Sequence, residues 1–474
     1  MDNKKKGWEW LPQENRWMKT TIFFILCSLY FSPAGAQSFP AGAQEWTMQQ
    51  CMEYAVAHNH EVRQSELQLD NYEARKTGAV GQFLPSVSAD IGARYNFGRA
   101  IDPETNGYTN VSTFYNGYSL QASLPLFDGF SRLHALRAAQ ASVLMGRQVL
   151  RQRQDQTALR VLQAYVNAVY YEGMVRMAEA KREETKLLLR QTRVLEEVGR
   201  KSAADVALAE SGQAESEYEL SRQQGFLATA LLDLKKEMNY PLQDTLLLAD
   251  FGRSKGGVSL RETTSFITGN YQFHYGKPEG GSAQSADLLQ SYQSMQASKH
   301  EWRQARAALY PSLSLSAGLS TTFYKTLHSD VASSFSSQLR NNMGEYIGMT
   351  LSIPLFNRLQ SLTSIRRAKN NYLMAREAYE QKQLELEKLG REAWQDWQAY
   401  QLQVLQMEKK VEADSIAYTL TRRQYEEGLS TAIDLHTTSA QWLQAKAQLL
   451  QCQLMAIVKQ ALTRYYQGEQ IWTE

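Results

Sequence analysis

Tyr118-Ser119-Leu120-Gln121-Ala122-Ser123-Leu124-Pro125-Leu126-Phe127 alternates apolar and polar residues, meets a proline and then changes period. The same pattern recurs at Tyr346-Ile347-Gly348-Met349-Thr350-Leu351-Ser352-Ile353-Pro354-Leu355-Phe356. Period-2 patterning over about ten residues marks a strand with one apolar and one polar face. After each of these prolines the chain runs for more than a hundred residues without another. The chain is therefore built twice around one corner, where a long strand hands over to a very long helix.

Upstream of each corner lies a second strand. Helical patterns over Trp46 to Phe83 and Asp287 to Leu309 end at Leu84-Pro85 and Tyr310-Pro311, because proline disfavours helix at the residue before it. Val87, Ala89, Ile91, Ala93, Tyr95 and Phe97 then alternate with polar residues, as do Leu313, Leu315, Ala317 and Leu319. Downstream, proline-free stretches rich in Ala, Gln, Arg and Leu carry heptad steps such as Leu136, Val143 and Leu150. At 1.5 Å per residue such a helix is roughly 100 Å long and needs coiled-coil partners. Gly199 and Gly428 break these helices, and Ser202 can cap the first returning one. The tip turns align as Gly199-Arg200-Lys201-Ser202-Ala203-Ala204-Asp205-Val206 and Gly428-Leu429-Ser430-Thr431-Ala432-Ile433-Asp434-Leu435. Repeat 1 is expected over 37–240, with strands 85–99 and 116–126, a long helix 131–198 and a return helix 202–239. An inter-repeat segment fills 241–285. Repeat 2 covers 286–474, with strands 311–323 and 345–354, a long helix 359–427 and a return helix 431–466.

A chain of 474 residues could hold two or three ordinary domains, but the repeat argues for one duplicated architecture. Lys19, the apolar run Thr20 to Phe31 and Ala34-Gly35-Ala36 read as a signal peptide over 1–36, with 1–17 an upstream extension if Met18 is the start. Its apolar core is too short for a membrane-spanning helix, and Cys27 lacks the small residues that precede a lipid-modified cysteine. Five of the 51 basic and three of the 49 acidic residues fall in this segment, leaving 46 of each. Such balance gives no support to nucleic-acid binding. Cys51 and Cys452 remain; in an oxidising compartment they could pair, but two thiols without a nearby histidine are poor evidence for metal or redox chemistry. His58 and His60 point to different faces of a helix. Gly199-Arg200-Lys201-Ser202 lacks the upstream glycine of a phosphate loop. Trp394, Trp397 and Tyr400 step helically and are expected to pack between helices. No nucleophile triad or carboxylate pair stands out, so no enzyme, cofactor or metal site is expected.

Four ten-residue strands cannot close a barrel alone, and lipid does not tolerate open sheet edges. Eight strands is about the smallest membrane barrel, so copies must pool strands, and three would give twelve. Apolar side chains would face lipid, while Ser119, Gln121, Ser123, Ser312, Ser314, Ser316, Thr350 and Ser352 would face a wet lumen. Tyr95, Phe97, Tyr115, Tyr118, Phe323, Tyr324 and Tyr346 would form an aromatic girdle.

This arrangement resembles the TolC family of outer-membrane efflux ducts over essentially the whole mature chain. The resemblance rests on Leu84-Pro85-Ser86 and Tyr310-Pro311-Ser312, on Ser123-Leu124-Pro125-Leu126-Phe127-Asp128-Gly129 and Ser352-Ile353-Pro354-Leu355-Phe356-Asn357, and on the two Gly…Asp turns. Each motif is weak; their order and doubled spacing are specific. The resemblance implies an α+β membrane protein in which a long α-helical coiled-coil barrel is continuous with a transmembrane β-barrel, four strands per protomer. It implies a homotrimer in outer-membrane lipid of a Gram-negative-type cell, with the helical tunnel in the periplasm. A periplasmic adaptor and an inner-membrane pump would be its partners, in tripartite efflux or type I secretion, with no catalytic site in the duct. The alternative is an exported structural or adhesive coiled-coil protein without a pore.

In family members a tyrosine three residues before the second-repeat glycine, a basic residue two after it and two aspartates three apart hold the periplasmic mouth shut. Tyr425 and Asp434 match, whereas Ser430 replaces the basic residue and Thr437 the second aspartate. Lys201 or Arg200 is then expected to face Asp434 or Asp205 between neighbouring hairpins. The plainer reading is that Asp205 and Asp434 favour the first turns of their helices. Gly199, Ser202, Gly428, Leu429 and Thr431 are the expected adaptor-docking tips, and Pro85, Pro125, Pro311 and Pro354 the barrel-to-helix corners.

Overall fold

The computed structural model describes residues 45–101, 107–110, 112–249, 285–326 and 334–472. The expected signal peptide, the loop residues Asp102, Pro103 and Asn106, and most of the inter-repeat segment lie outside them. In order, the chain forms β1 (Glu45–Trp46), α1 (Met48–His58), α2 (His60–Gly81), β2 (Ser86–Asn96), β3 (Arg99–Ile101), β4 (Tyr108–Asn110) and β5 (Thr113–Phe127). Then come α3 (Ser131–Glu197), α4 (Ala203–Met238), β6 (Leu247–Leu248), α5 (Ala286–Arg306), β7 (Ser312–Thr326), α6 (Phe335–Asn341), β8 (Gly344–Ser352), α7 (Gln360–Glu426) and α8 (Ala432–Tyr466). The two long helices α3 and α7 have 67 residues each, roughly 100 Å at the α-helical rise. Each turns back on itself, α3 onto α4 and α7 onto α8. Among the described residues no helix is long and apolar enough to cross a membrane.

The helical pattern over Trp46 to Phe83 is two helices rather than one. Asn59 is extended, its side chain accepts from the Glu61 N–H at 2.8 Å, and its amide donates to the Glu237 carbonyl at 3.2 Å. An asparagine that caps the next helix and ties it to the end of α4 outcompetes helix continuation.

The strand-to-helix corner is built the same way twice. Gly129 and Phe130 are left-handed (φ 66° and 68°), as are Arg358 and Leu359 (φ 56° and 64°). Asp128 Oδ2 accepts from the Arg132 N–H at 3.1 Å, and Asn357 Oδ1 accepts from the Ser361 N–H at 3.4 Å. Two consecutive left-handed residues reverse the chain out of the strand, and the acceptor side chain satisfies the first turn of the helix.

β1 pairs with β6 in parallel and β3 with β4 antiparallel, while four of the strands form an antiparallel sheet in the order β2-β5-β7-β8. Its register aligns Val87, Ala122, Ala317 and Ile347 across all four strands, and Ser88, Gln121, Gly318 and Tyr346 in the alternate row. Because side chains alternate along a strand, one face is mainly apolar, interrupted by Asn116, Thr321, Lys325 and Glu345, while the other is mainly polar, and all eight expected lumen residues share the polar face. The aromatic set does not stay together. Tyr95, Tyr118 and Phe323 lie on the apolar face, whereas Arg94↔Tyr115↔Tyr324 and Tyr346 fall in the polar rows. There Arg94 stands 4.4 Å over the Tyr115 ring, and Tyr346 lies against Gly318, filling the space a Cβ would take. Nearness to the strand end had suggested one girdle; residue parity divides it.

Above Ser320, β8 no longer pairs with β7, and α6 takes its place. The Gln338 side-chain amide bonds both Tyr324 N–H (2.8 Å) and Tyr324 carbonyl (2.9 Å), and Asn342 donates to the Thr322 carbonyl at 2.8 Å. Among the described residues the outer strands β2 and β8 keep their second edges unpaired, and Ile91 and Ile347 are 75% and 77% exposed.

The main core lies midway along α3, where Ala158, Val161, Leu162 and Tyr165 pack with Cys51 and Met52 of α1, Leu234 and Met238 of α4, and Leu454 and Ile457 of α8. Both Cys51 and Cys452 are free thiols. Burial pushes Cys51 up to about 12, which keeps it protonated and unreactive. Trp397 is buried, and His58 stacks on Tyr54 with a ring-centroid distance of 4.1 Å.

Candidate functional site: the hairpin tips

At both tips the chain turns through a glycine in the left-handed region, Gly199 at φ 74° and Gly428 at φ 80°. Arg200 N–H reaches the Leu195 carbonyl at 2.8 Å, and Leu429 N–H reaches the Gln424 carbonyl at 2.7 Å. These bonds satisfy the last carbonyls of α3 and α7, and the positive φ makes glycine the suitable residue there. Each return helix then opens on a complete capping box. Ser202 Oγ accepts from Asp205 N–H at 3.2 Å while Asp205 Oδ2 accepts from Ser202 N–H at 2.9 Å. Thr431 and Asp434 repeat this at 3.2 and 3.1 Å.

The aspartates are held in the carboxylate form by those caps. The backbone and hydroxyl bonds from Ser202, with a smaller contribution from Lys201, hold Asp205 below its ordinary range. The hydroxyl and backbone bonds from Thr431, and then Ser430, do the same for Asp434. Of the residues singled out from the sequence, the structure brings together Lys201 and Tyr425: the Lys201 ammonium sits 4.1 Å over the Tyr425 ring. Tyr425 is 4% exposed, with its hydroxyl 3.5 Å from Thr192 Oγ1 of α3. Asp434 is engaged within its own turn, Arg200 is exposed, and Leu429 is 76% exposed.

Sequence reading missed the contacts just above the turns. Tyr418, seven residues before Tyr425, stacks on Trp442 of α8 at 4.9 Å and donates its hydroxyl to Glu184 of α3. Burial, then the Glu184 carboxylate, push the Tyr418 phenol well above its usual range, so it is a proton donor at every physiological pH. His436 of α8 lies 3.6 Å from Glu215 of α4. The heptad step from Tyr418 to Tyr425 was a readable signal; partners on another hairpin were not.

A family model described as outer membrane efflux protein matches residues 52–239 and 282–465. The chain belongs to the outer membrane efflux protein family. Solved structures carry the same fold. CusC, whose structures record changes accompanying folding and transmembrane channel formation, is 17% identical with a TM-score of 0.74 over 89% of this chain and 92% of its own. VceC, an outer membrane protein of Vibrio cholerae, is 14% identical with a TM-score of 0.72 over 90% and 96%. The open state of the MtrE outer membrane channel of Neisseria gonorrhoeae is 16% identical with a TM-score of 0.70 over 90% and 89%. No curated protein matches the sequence. Within this efflux family, a mostly helical chain with a small antiparallel sheet is the expected channel-tunnel architecture, and both family and fold are those of channels rather than enzymes.

Proposed function

We propose that the protein is the outer-membrane exit duct of a tripartite efflux or type I secretion system, a homotrimer that passively conducts substrates outward. The observation that carries this reading is the four-stranded sheet that, among the described residues, has two unpaired edges and one mainly apolar face. Such a sheet survives in lipid only when its edges are closed, and three copies joined β8 to β2 give a twelve-stranded barrel with its polar rows inward. The long hairpins then continue as a tunnel through the periplasm, ending in twelve helices at the tips. An inner-membrane pump provides the energy, and a periplasmic adaptor docks at the turns Gly199, Ser202, Gly428, Leu429 and Thr431. The exposed Leu429 supports this, since a solvated turn has little use for it.

The closed mouth is assigned to Tyr425, Lys201, Arg200, Asp205 and Asp434. Lys201 over Tyr425 ties the first hairpin's turn to α7 inside one protomer, and three Asp434 carboxylates around the axis would attract cations. Single-channel recording of the purified protein tests this: Asp434→Ala is expected to raise conductance and weaken cation selectivity. Unchanged values would remove Asp434 from the gate and leave it as a cap. For docking, photocrosslinkers at Ser202 or Thr431 should capture an adaptor in cells, and capture of none would count against the tip assignment.

A further inference from the structure

The helices that leave the sheet begin with cations and no acids. No acidic residue occurs between Asp128 and Asp155, or between Glu345 and Glu377, and each stretch carries five Lys or Arg. Arg137 and Arg366 stand at equivalent places in the two copies, as do Phe127 and Phe356, each pair 229 residues apart. Further along α7, Arg376, Lys388, Arg391 and Lys410 each pair with a carboxylate one turn away. Near the sheet this stops: among the described residues no carboxylate pairs with Arg137, Lys299, Arg303, Arg366, Arg367 or Lys369. All of these but Lys299 are exposed. Two ring stacks bring them to one level. His134 of α3 stacks on His300 of α5 at 5.8 Å, and Trp302 of α5 on Tyr372 of α7 at 5.7 Å. Arg306 stands 5.9 Å over the Trp302 ring. Burial holds both histidines below their ordinary range, Arg303 and Arg137 push each further down, and every charged group acting on them is a cation. On the sheet side of this belt the second corner exposes Leu355 and Phe356 at 92% and 79%.

We propose that this belt binds the phosphate groups of anionic phospholipids in the periplasmic leaflet of the outer membrane. This rests on the duct reading, which puts the sheet in lipid, and adds what the helices do just beneath it. Apolar corner, aromatic rings and unpaired cations follow one another down the molecule in the order that hydrocarbon, interface and phosphate follow in a leaflet. Arg137 and Arg366 lie six residues into their helices, roughly 9 Å along the axis, and a headgroup layer is about 5–8 Å deep. A cation already paired with a carboxylate gains little from a phosphate. Unpaired ones beside an apolar band gain charge-assisted hydrogen bonds and attraction to the anionic surface. A tunnel lining would supply no reason for Leu355 and Phe356 to stand exposed next to the belt, whereas lipid does.

The test is native mass spectrometry of the full chain, delipidated in mild detergent and titrated with phosphatidylglycerol or with phosphatidylcholine of the same acyl chains. Phosphatidylglycerol is expected to bind about tenfold more tightly, with a preference that shrinks as salt is raised. Replacing one cation on each helix, Arg137→Gln with Arg303→Gln and Arg366→Gln, should weaken phosphatidylglycerol binding by about tenfold and leave phosphatidylcholine unchanged. Equal affinity of the wild-type chain for the two lipids would overturn the proposal, as would a triple variant that keeps the full preference. Tighter capture of inorganic phosphate, or of an anionic cell-wall peptide, than of phosphatidylglycerol would also overturn it and give the belt to that anion. If the triple variant fails to assemble, the wild-type preference and its salt dependence decide alone. A wild-type chain recovered only as a soluble monomer would instead sink the duct reading itself.

Discussion

Gly129 and Arg358 occupy equivalent places in the two corners, both left-handed, yet only one is glycine. A left-handed non-glycine residue costs about 1–2 kcal/mol, and glycine's extra backbone entropy returns about 0.5–1 of that. Arg358→Gly is therefore expected to be neutral or stabilising by about 0.5–1 kcal/mol. Gly129→Ala should destabilise by at least about 1–2 kcal/mol, because a Cβ there would meet Tyr310 Cβ at 2.7 Å and the Ala307 carbonyl at 2.8 Å. Thermal unfolding of the detergent-extracted variants checks both, and a stable Gly129→Ala would contradict the corner geometry. At this level the sequence was readable where the signal was local. Ser202 as a cap and Asp205 and Asp434 as first-turn acids were readable because their partners lie within one turn, and the structure closes both turns as full capping boxes. Lys201 over Tyr425 was not foreseen, since they are brought together only by the docking of two hairpins, and the natural partner for a lysine had been an aspartate.

The long helices are held at mid-length by more than apolar packing. Asp155 of α3 is 2% exposed, accepts from Trp472 Nε1 at 3.0 Å and has Arg151 at 3.8 Å. Beside it, Asp287 takes the Tyr465 hydroxyl at 2.6 Å and the Gln152 amide at 2.5 Å, and Arg151 also donates to the Gly468 carbonyl at 2.5 Å. This cluster fastens the C-terminal segment across α3. Burial raises Asp155 to about 6, with Asp287 adding to the rise and Arg151 and Trp472 opposing it. The folded chain thus binds a proton that the unfolded chain has already released between pH 3.8 and about 6. Stability from this group is present at the acidic end, is lost as pH rises through that window and is flat above it. Asp155→Asn keeps the acceptor for Trp472 and removes the titration. Its melting temperature should match wild type near pH 4 and exceed it at pH 7, with a gap of at most about 3 kcal/mol. Parallel pH profiles would contradict this. The helices themselves were legible in period and length, to within a residue or two at their ends. The break at Asn59 was not, because the reason for it, Glu237, lies at the far end of α4. Nor was α6, whose pairing to Tyr324 replaces a strand that the alternation alone could not show to end early.

Taken whole, the chain is a doubled unit whose four-stranded sheet, among the described residues, ends in two unpaired edges. Pro125 and Pro354, Gly199 and Gly428, and Asp205 and Asp434 are all 229 residues apart, so the two halves present matching corners and matching tips. Duplication was legible because each copy carries the same punctuation, and the two faces of the sheet were legible because alternation survives in every strand. What parity and register do with the aromatic residues was missed, since Tyr115 and Tyr324 share a level with Tyr95 and Phe323 but not a face, and Tyr346 stands further along the sheet, opposite Gly318 on the polar face. The opening stretch, Tyr118 to Leu126, lies in β5 at the centre of the sheet, paired on both sides. The edges lie at β2 and β8, and the account stands on their being closed by further copies. Native mass measurement of the chain extracted from membranes in mild detergent tests that most directly. Particles of three protomers are expected; a monomer released in soluble form by osmotic shock would contradict the account.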